Sequence, residues 1–175
     1  MIKSFFYKIR IKISLFSRDI MVNFVAKSIL IPRKLRYLIY RIAGMRVKSI
    51  NIRSECIFRG KSVFISEGVL LNNNVFIDAY EKVYIGKNTS IAFGTLICTS
   101  SHKFGTSEKR AGESDRRPIF IGEGCWIGAN CTILPGVTIG DGCIIGAGSL
   151  VNKNCDSNSL YLGVPAVKIR SLDKL

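Results

Sequence analysis

The sequence predicts an all-β repeat fold, a parallel β-helix of hexapeptide units led by a basic, partly helical arm. Three observations predict it. First, Ile121, Ile127, Ile133, Ile139, Ile145 and Val151 recur every six residues and open the units IGEGCW, IGANCT, ILPGVT, IGDGCI, IGAGSL and VNKNCD. Ile, Leu and Val fill roughly three positions in ten, so six in register by chance falls below about one in a thousand. Second, the fifth place of each unit is small: Cys125, Cys131, Val137, Cys143, Ser149 and Cys155. A branched apolar residue first and a small one fifth mark a parallel β-helix. Third, the charge is lopsided. Residues 1–50 hold 12 basic side chains and one acid, a net +11, whereas residues 51–175 hold 14 and 11, a net +3. The positive charge is a property of the arm, not of the repeats.

These features divide the chain into an arm (1–50), a repeat domain (51–163) and a tail (164–175). Within the arm, Pro32–Gly44 reads as a helix: Leu35, Leu38, Ile39 and Ile42 share one side, opposite Lys34, Arg36 and Arg41. Pro near the start and Gly at the end suit helix boundaries. A basic amphipathic arm fits an anionic membrane surface. It equally fits a cap whose apolar side packs on the open end of the β-helix.

Repeats begin loosely at Ile52 and become regular at Ile65, Leu71 and Ile77. Two extra residues around Ala79–Lys82 reset the phase to Ile85, Ile91 and Ile97. Residues 103–118 (KFGTSEKRAGESDRRP) are polar and charged, and read as a surface excursion rather than a strand. Three hexads per coil give a triangular prism. Ile85, Ile121 and Ile139 then stack on face 1, Ile91, Ile127 and Ile145 on face 2, and Ile97, Ile133 and Val151 on face 3. Thr89, Cys125 and Cys143 fill an interior corner, where a larger side chain overpacks. Glycines in second place, such as Gly86, Gly122 and Gly128, are expected to permit the turn between faces.

Composition also excludes classes. Most cysteines sit at the small fifth place, so they read as reduced packing residues rather than disulfides. Without a CxxC or a Cys/His cluster, no metal is expected. Lys3, Lys8, Arg10, Lys12, Arg18 and Lys27 interrupt the apolar N-terminus, so no secretory signal is read and a cytoplasmic location is expected. The basic arm carries no nucleic-acid-recognition motif, so nucleic acid is not an expected partner.

A β-helix is usually an enzyme scaffold, and His102 is the only histidine. It ends the stretch ICTSSH, where the repeats give way to the excursion. Imidazole suits removal of a hydroxyl proton as that oxygen attacks. The stretch from Asn72 to Arg170 resembles the hexapeptide-repeat acyltransferases, in the branch of galactoside, maltose and polysaccharide O-acetyltransferases. NNNVFIDAY, IGKNTSIAFGTLICTSSH, PIFIGEGCWIGANCTILPGVTIGDGCIIGAGSLVNKNCD and LGVPAVKIR carry the resemblance.

The resemblance implies a left-handed β-helix, a homotrimer with sites between subunits, and acetyl-coenzyme A as donor to a sugar hydroxyl. His102 matches the catalytic base. Trp126 resembles an aromatic lining the site, with interface packing as its other reading. Ala129 and Ala147 match small residues beside the pantetheine arm, and Asn152 and Lys153 a Thr-Lys pair near the nucleotide. Lys168 and Arg170 fall where cations meet the coenzyme phosphates, or else form a solvated tail. Asp78, one coil from Cys98, orients His102, touches the acceptor, or simply forms a turn.

Some positions depart from the pattern. Gly94, after Phe93, stands where galactoside and maltose enzymes carry asparagine, and Lys103 follows His102 where the polysaccharide branch often has an acid. Cys98 suggests a thiol nucleophile, but the family needs no acyl-enzyme. The expected function is therefore acetyl transfer to a sugar or lipid-linked glycan in capsule, lipopolysaccharide or exopolysaccharide synthesis, at a cytoplasmic, anionic inner-membrane surface. The other readings are a non-catalytic β-helix scaffold and an enzyme for a small free sugar or xenobiotic. A zinc β-helix enzyme needs three histidines and is excluded.

Overall fold

The computed structural model describes residues 16–172; residues 1–15 of the arm and 173–175 of the tail lie outside the described residues. Three parallel sheets form the faces of a prism. Face 1 stacks Arg46–Val47, Val63–Ile65, Val83–Ile85, Ile119–Ile121 and Thr138–Ile139. Face 2 stacks Leu70–Leu71, Ser90–Ile91, Trp126–Ile127, Ile144–Ile145 and Ser159–Leu162. Face 3 stacks Ile57–Gly60, Phe76–Ala79, Leu96–Cys98, Thr132–Ile133 and Leu150–Val151.

The predicted columns are in register. Ile121 pairs with Ile85 and Ile139, Ile127 with Ile91 and Ile145, and Ile133 with Ile97 and Val151. All are buried, and each coil covers its apolar edge only with the next. The phase reset is equally visible, since Ile65 pairs with Ile85, twenty positions on, whereas Ile121 pairs with Ile139, eighteen on.

The interior corners are built as expected. Thr89, Cys125 and Cys143 are buried, and each bonds to the backbone of the coil above. Thr89 Oγ1 donates to the Gly122 carbonyl at 2.7 Å, Cys125 Sγ to Gly140 at 3.1 Å and Cys143 Sγ to Asp156 at 2.9 Å. Burial pushes the Cys125 thiol up to about 11 and the Cys56 and Cys155 thiols up to about 12. A thiol without thiolate character is a poor nucleophile. In native protein at pH 8, Ellman's reagent should therefore react with at most one of the six cysteines, and with all of them in guanidinium. Fast reaction of several native thiols would refute the corner packing.

Glycines act differently from the expectation. Gly86 is in second place, yet its φ is not positive; a Cβ there would meet the Gly122 carbonyl carbon at 2.5 Å, so close coil contact demands glycine. The left-handed turn residue comes two places later, as Asn88 (φ 56°) or Gly124 (φ 65°).

Two segments expected to be irregular are strands. Residues 103–118 contain most of a hairpin, Ser100–Phe104 antiparallel to Ala111–Arg116 with His102 opposite Ser114. Most of its side chains are exposed, so it has no apolar alternation to betray it. The expected tail likewise returns as Val167–Ser171, antiparallel to Ser159–Leu162.

The arm does cap the prism, but in the opposite orientation to the expected one. A π-helical segment, Met21–Ala26, and an α-helix, Arg33–Ile42, cover the first coil. The helix buries Arg36, Ile39 and Tyr40, and leaves Leu35, Leu38 and Ile42 about half exposed or more. The reason lies in what an open β-helix end displays, which is unpaired backbone donors and acceptors. Asn23 imitates a strand neighbour: its Nδ2 donates to the Phe58 carbonyl at 3.0 Å and its Oδ1 accepts from the Phe58 N–H at 2.8 Å. Arg18 donates to the Gly60 carbonyl at 2.7 Å. Arg36 donates to four carbonyls, those of Ala26, Ser28, Ile31 and Ile52, at 2.6 to 3.1 Å. A guanidinium meets that need; a leucine cannot.

Candidate active site

Face 3 ends its third strand at Cys98, and the chain then leaves the prism at the corner between faces 3 and 1. The hairpin that grows there carries His102 into solvent. Its Nδ1 lies 3.0 Å from the Gly112 carbonyl oxygen on the partner strand. A carbonyl can only accept, so Nδ1 must hold the proton and donate it. Nε2 is left with a free lone pair, the arrangement a general base needs. Beside it, Lys103 Nζ pairs with Glu113 Oε2 at 3.1 Å across the hairpin.

Asp78 lies inside the face 3 strand Phe76–Ala79, which corrects the turn reading. It is 7% exposed and stands in register with Cys98, whose Sγ lies 3.6 Å from Asp78 Oδ2 and 3.2 Å from the Ser100 carbonyl oxygen, two acceptors that share one thiol proton. Among the described residues the imidazole's hydrogen bond goes to Gly112 and the Asp78 carboxylate's to Cys98. Partial burial, and after it the neighbouring Asp78 charge, raise the Cys98 thiol, which argues against a thiolate nucleophile. Ser100, two residues before His102, has a buried Oγ without a hydrogen-bond partner among the described residues. Sequence reasoning missed both Ser100 and the Gly112 carbonyl. A backbone acceptor leaves no trace in residue identity.

The other candidates fall into separate places. Asn152 and Lys153 are exposed at the corner between faces 3 and 1, after the strand Leu150–Val151 and two coils beyond the one that carries the hairpin. Ala129 and Ala147 stack at the corner between faces 2 and 3, where the Gly148 N–H donates to the Ala129 carbonyl at 2.8 Å. A Cβ on Gly148 would meet nothing within 4 Å, so this corner offers bare backbone to a ligand. Trp126 stands on face 2, 58% exposed, between Ser90 and Ile144. Lys168 and Arg170 sit on the return strand, where both remain exposed to solvent. Lys168 Nζ bonds Asp156 Oδ2 at 3.0 Å, and that bond raises the ammonium's pKa.

Face 2 lies opposite the corner between faces 3 and 1. One subunit therefore gathers His102 with Asn152 and Lys153 along one corner, and Ala129 with Ala147 along another. It does not bring Trp126 to His102.

Residues 118–153 match the family described as bacterial transferase hexapeptide (six repeats). A galactoside O-acetyltransferase of Lactococcus lactis is 30% identical over 116 residues, 66% of this chain and 56% of its own. A candidate lipopolysaccharide-biosynthesis O-acetyl transferase of Escherichia coli is 32% identical over 130 residues, 69% of this chain and 66% of its own. The chain thus spans between half and two thirds of these relatives' lengths. Among solved structures, a hexapeptide-repeat-containing acetyltransferase from Vibrio cholerae superposes with a TM-score of 0.77 at 29% identity, over 91% of this chain and 92% of that one. The chain belongs to the hexapeptide-repeat transferase family. Its coils are accordingly those of the left-handed β-helix of this family. The same Vibrio enzyme was also solved with acetyl-coenzyme A, with a TM-score of 0.75 at 26% identity over 91% of this chain and 88% of that one. Among the described residues of this family member, no group of three or more His, Cys, Asp and Glu could hold a metal ion.

Proposed function

We propose that this protein is an acetyl-coenzyme A-dependent O-acetyltransferase acting on a sugar hydroxyl in surface-polysaccharide synthesis. It works as a homotrimer at the cytoplasmic, inner-membrane surface. The observation that carries the reading is the His102 imidazole, fixed in one tautomer on an exposed hairpin. Nε2 takes the acceptor hydroxyl proton as the oxygen attacks the thioester carbonyl. The tetrahedral oxyanion then collapses, the C–S bond breaks, and the coenzyme thiolate recovers the proton from the imidazolium. The products are a sugar acetate ester and coenzyme A. Backbone N–H groups of a neighbouring coil or subunit suit the oxyanion.

The bare-backbone corner at Ala129 and Ala147 suits the pantetheine arm, while Lys153, Lys168 and Arg170 supply positive charge for the phosphates. In such a trimer a second subunit would bring its face 2, with Trp126, to the corner that carries His102. Asp78, through Cys98, is a positioning residue beneath the hairpin. Acetyl transfer by the neighbour solved with the coenzyme and the name of the Escherichia coli relative support donor and pathway respectively.

The test is incubation with radiolabelled acetyl-coenzyme A and a panel of lipid-linked and nucleotide sugars. Label should enter an alkali-labile ester on a lipid-linked acceptor. Coenzyme binding with no transfer to any sugar would favour the scaffold reading.

A further inference from the structure

The cap's inverted helix leaves an unusual surface. Phe24, Ile29, Leu30, Leu35, Leu38 and Ile42 are 45 to 85% exposed on cap segments whose Asn23 and Arg36 side chains turn inward to bond backbone groups. Such exposed apolar side chains mark an interaction surface rather than a solvated face. Three observations identify the occupant. Residues 16–50 hold eight basic side chains and one acid, a net +7, and Arg33, Lys34, Arg41 and Lys48 are exposed among the apolar residues. Residues 1–15 continue the same composition with four cations, no acid and nine apolar side chains. The apolar side chains belong to the end of a rod, whereas a sheet-to-sheet partner would need a face. Aromatic and aliphatic groups set among cations are what an anionic lipid interface accepts. A second copy of so basic a cap would instead meet like charge.

We infer that the protein docks end-on, through this cap, on the surface of an anionic bilayer. Among the described residues no helix is long and apolar enough to cross it, so the cap lies at the interface. The inference rests on the reading above for its peripheral contact, and it adds which end touches lipid and how the rod stands.

The test uses the full chain and vesicles of phosphatidylcholine with or without about one third phosphatidylglycerol. The parent protein should sediment with anionic vesicles, and binding should fall severalfold between low salt and 0.5 M. I29E/L30E should lose at least about tenfold in partitioning with unchanged circular dichroism, because both side chains are already in solvent. R33E/K34E should lose the preference for anionic lipid. Orientation is read by brominated lipids: Leu30→Trp fluorescence should be quenched, while the sole native tryptophan, Trp126 on face 2, should not. Absence of binding, equal binding by I29E/L30E, quenching of Trp126, or a fall in oligomer mass in I29E/L30E would each overturn the proposal. Acetyl-coenzyme A binding of I29E/L30E, measured by calorimetry, should match the parent, so failed docking leaves the acetyl-transfer reading intact.

Discussion

His102→Ala should lower acetyl transfer at least about a hundredfold while leaving thermal unfolding and oligomer mass unchanged. The side chain is exposed and lies on a hairpin outside the prism, so its removal opens no cavity in the core. Its one hydrogen bond reaches a carbonyl that water can serve instead. The loss should therefore appear in kcat, with the KM for acetyl-coenzyme A little changed, as expected for a group that acts on the reacting hydroxyl. His102→Gln separates the base from the hydrogen bond. Glutamine can still donate to Gly112 but cannot take a proton, so it should be as inactive as alanine. A rate close to that of the parent in either variant removes the general-base assignment and favours a binding scaffold.

Arg36→Leu should be the most damaging single change outside the prism core. The guanidinium is 3% exposed and serves four carbonyls, two of them at the end of the π-helical segment and one on the first coil. Helix-end carbonyls carry partial negative charge, which compensates the buried cation without a carboxylate. Leucine leaves those acceptors dry and unpaired, at about 1 kcal/mol or more each, for a total near 3 to 4 kcal/mol. For a chain of this size that is a fall in Tm of roughly 6–16 °C. Arg36→Lys should recover only part of it, since an ammonium cannot reach four acceptors from one fork. Because coils are stabilised by neighbours, fraying should start at the first coil and show as amide exchange at Phe58, whose N–H the cap residue Asn23 holds. If Arg36→Leu melts with the parent, the carbonyl-cap account fails.

The prism was legible because its physics is local and repetitive. Every Ile column requires the same residue class at the same place, so a period read over Ile121–Val151 transfers to Ile85 and Ile65 across an insertion and a phase reset. The corner slot was legible for a similar reason: Thr89, Cys125 and Cys143 share only their size and one donor. The hairpin was not. Both its faces meet solvent, and without burial no periodicity is imposed on the residues. Nor was the cap's orientation. A helical wheel assumes that the protein side is apolar, whereas Arg36 and Asn23 face a rim of unpaired peptide groups.

By itself the sequence determined the coil, its period and its registers. Each of these follows from the size and polarity of side chains repeated at fixed spacing. Only the tertiary structure decided that Gly112 fixes the His102 tautomer, that Trp126 and His102 stand on opposite sides of one subunit, and that the cap turns its greasy side outward. Those outcomes depend on where backbone carbonyls end up in space, and a carbonyl is the same atom in every residue.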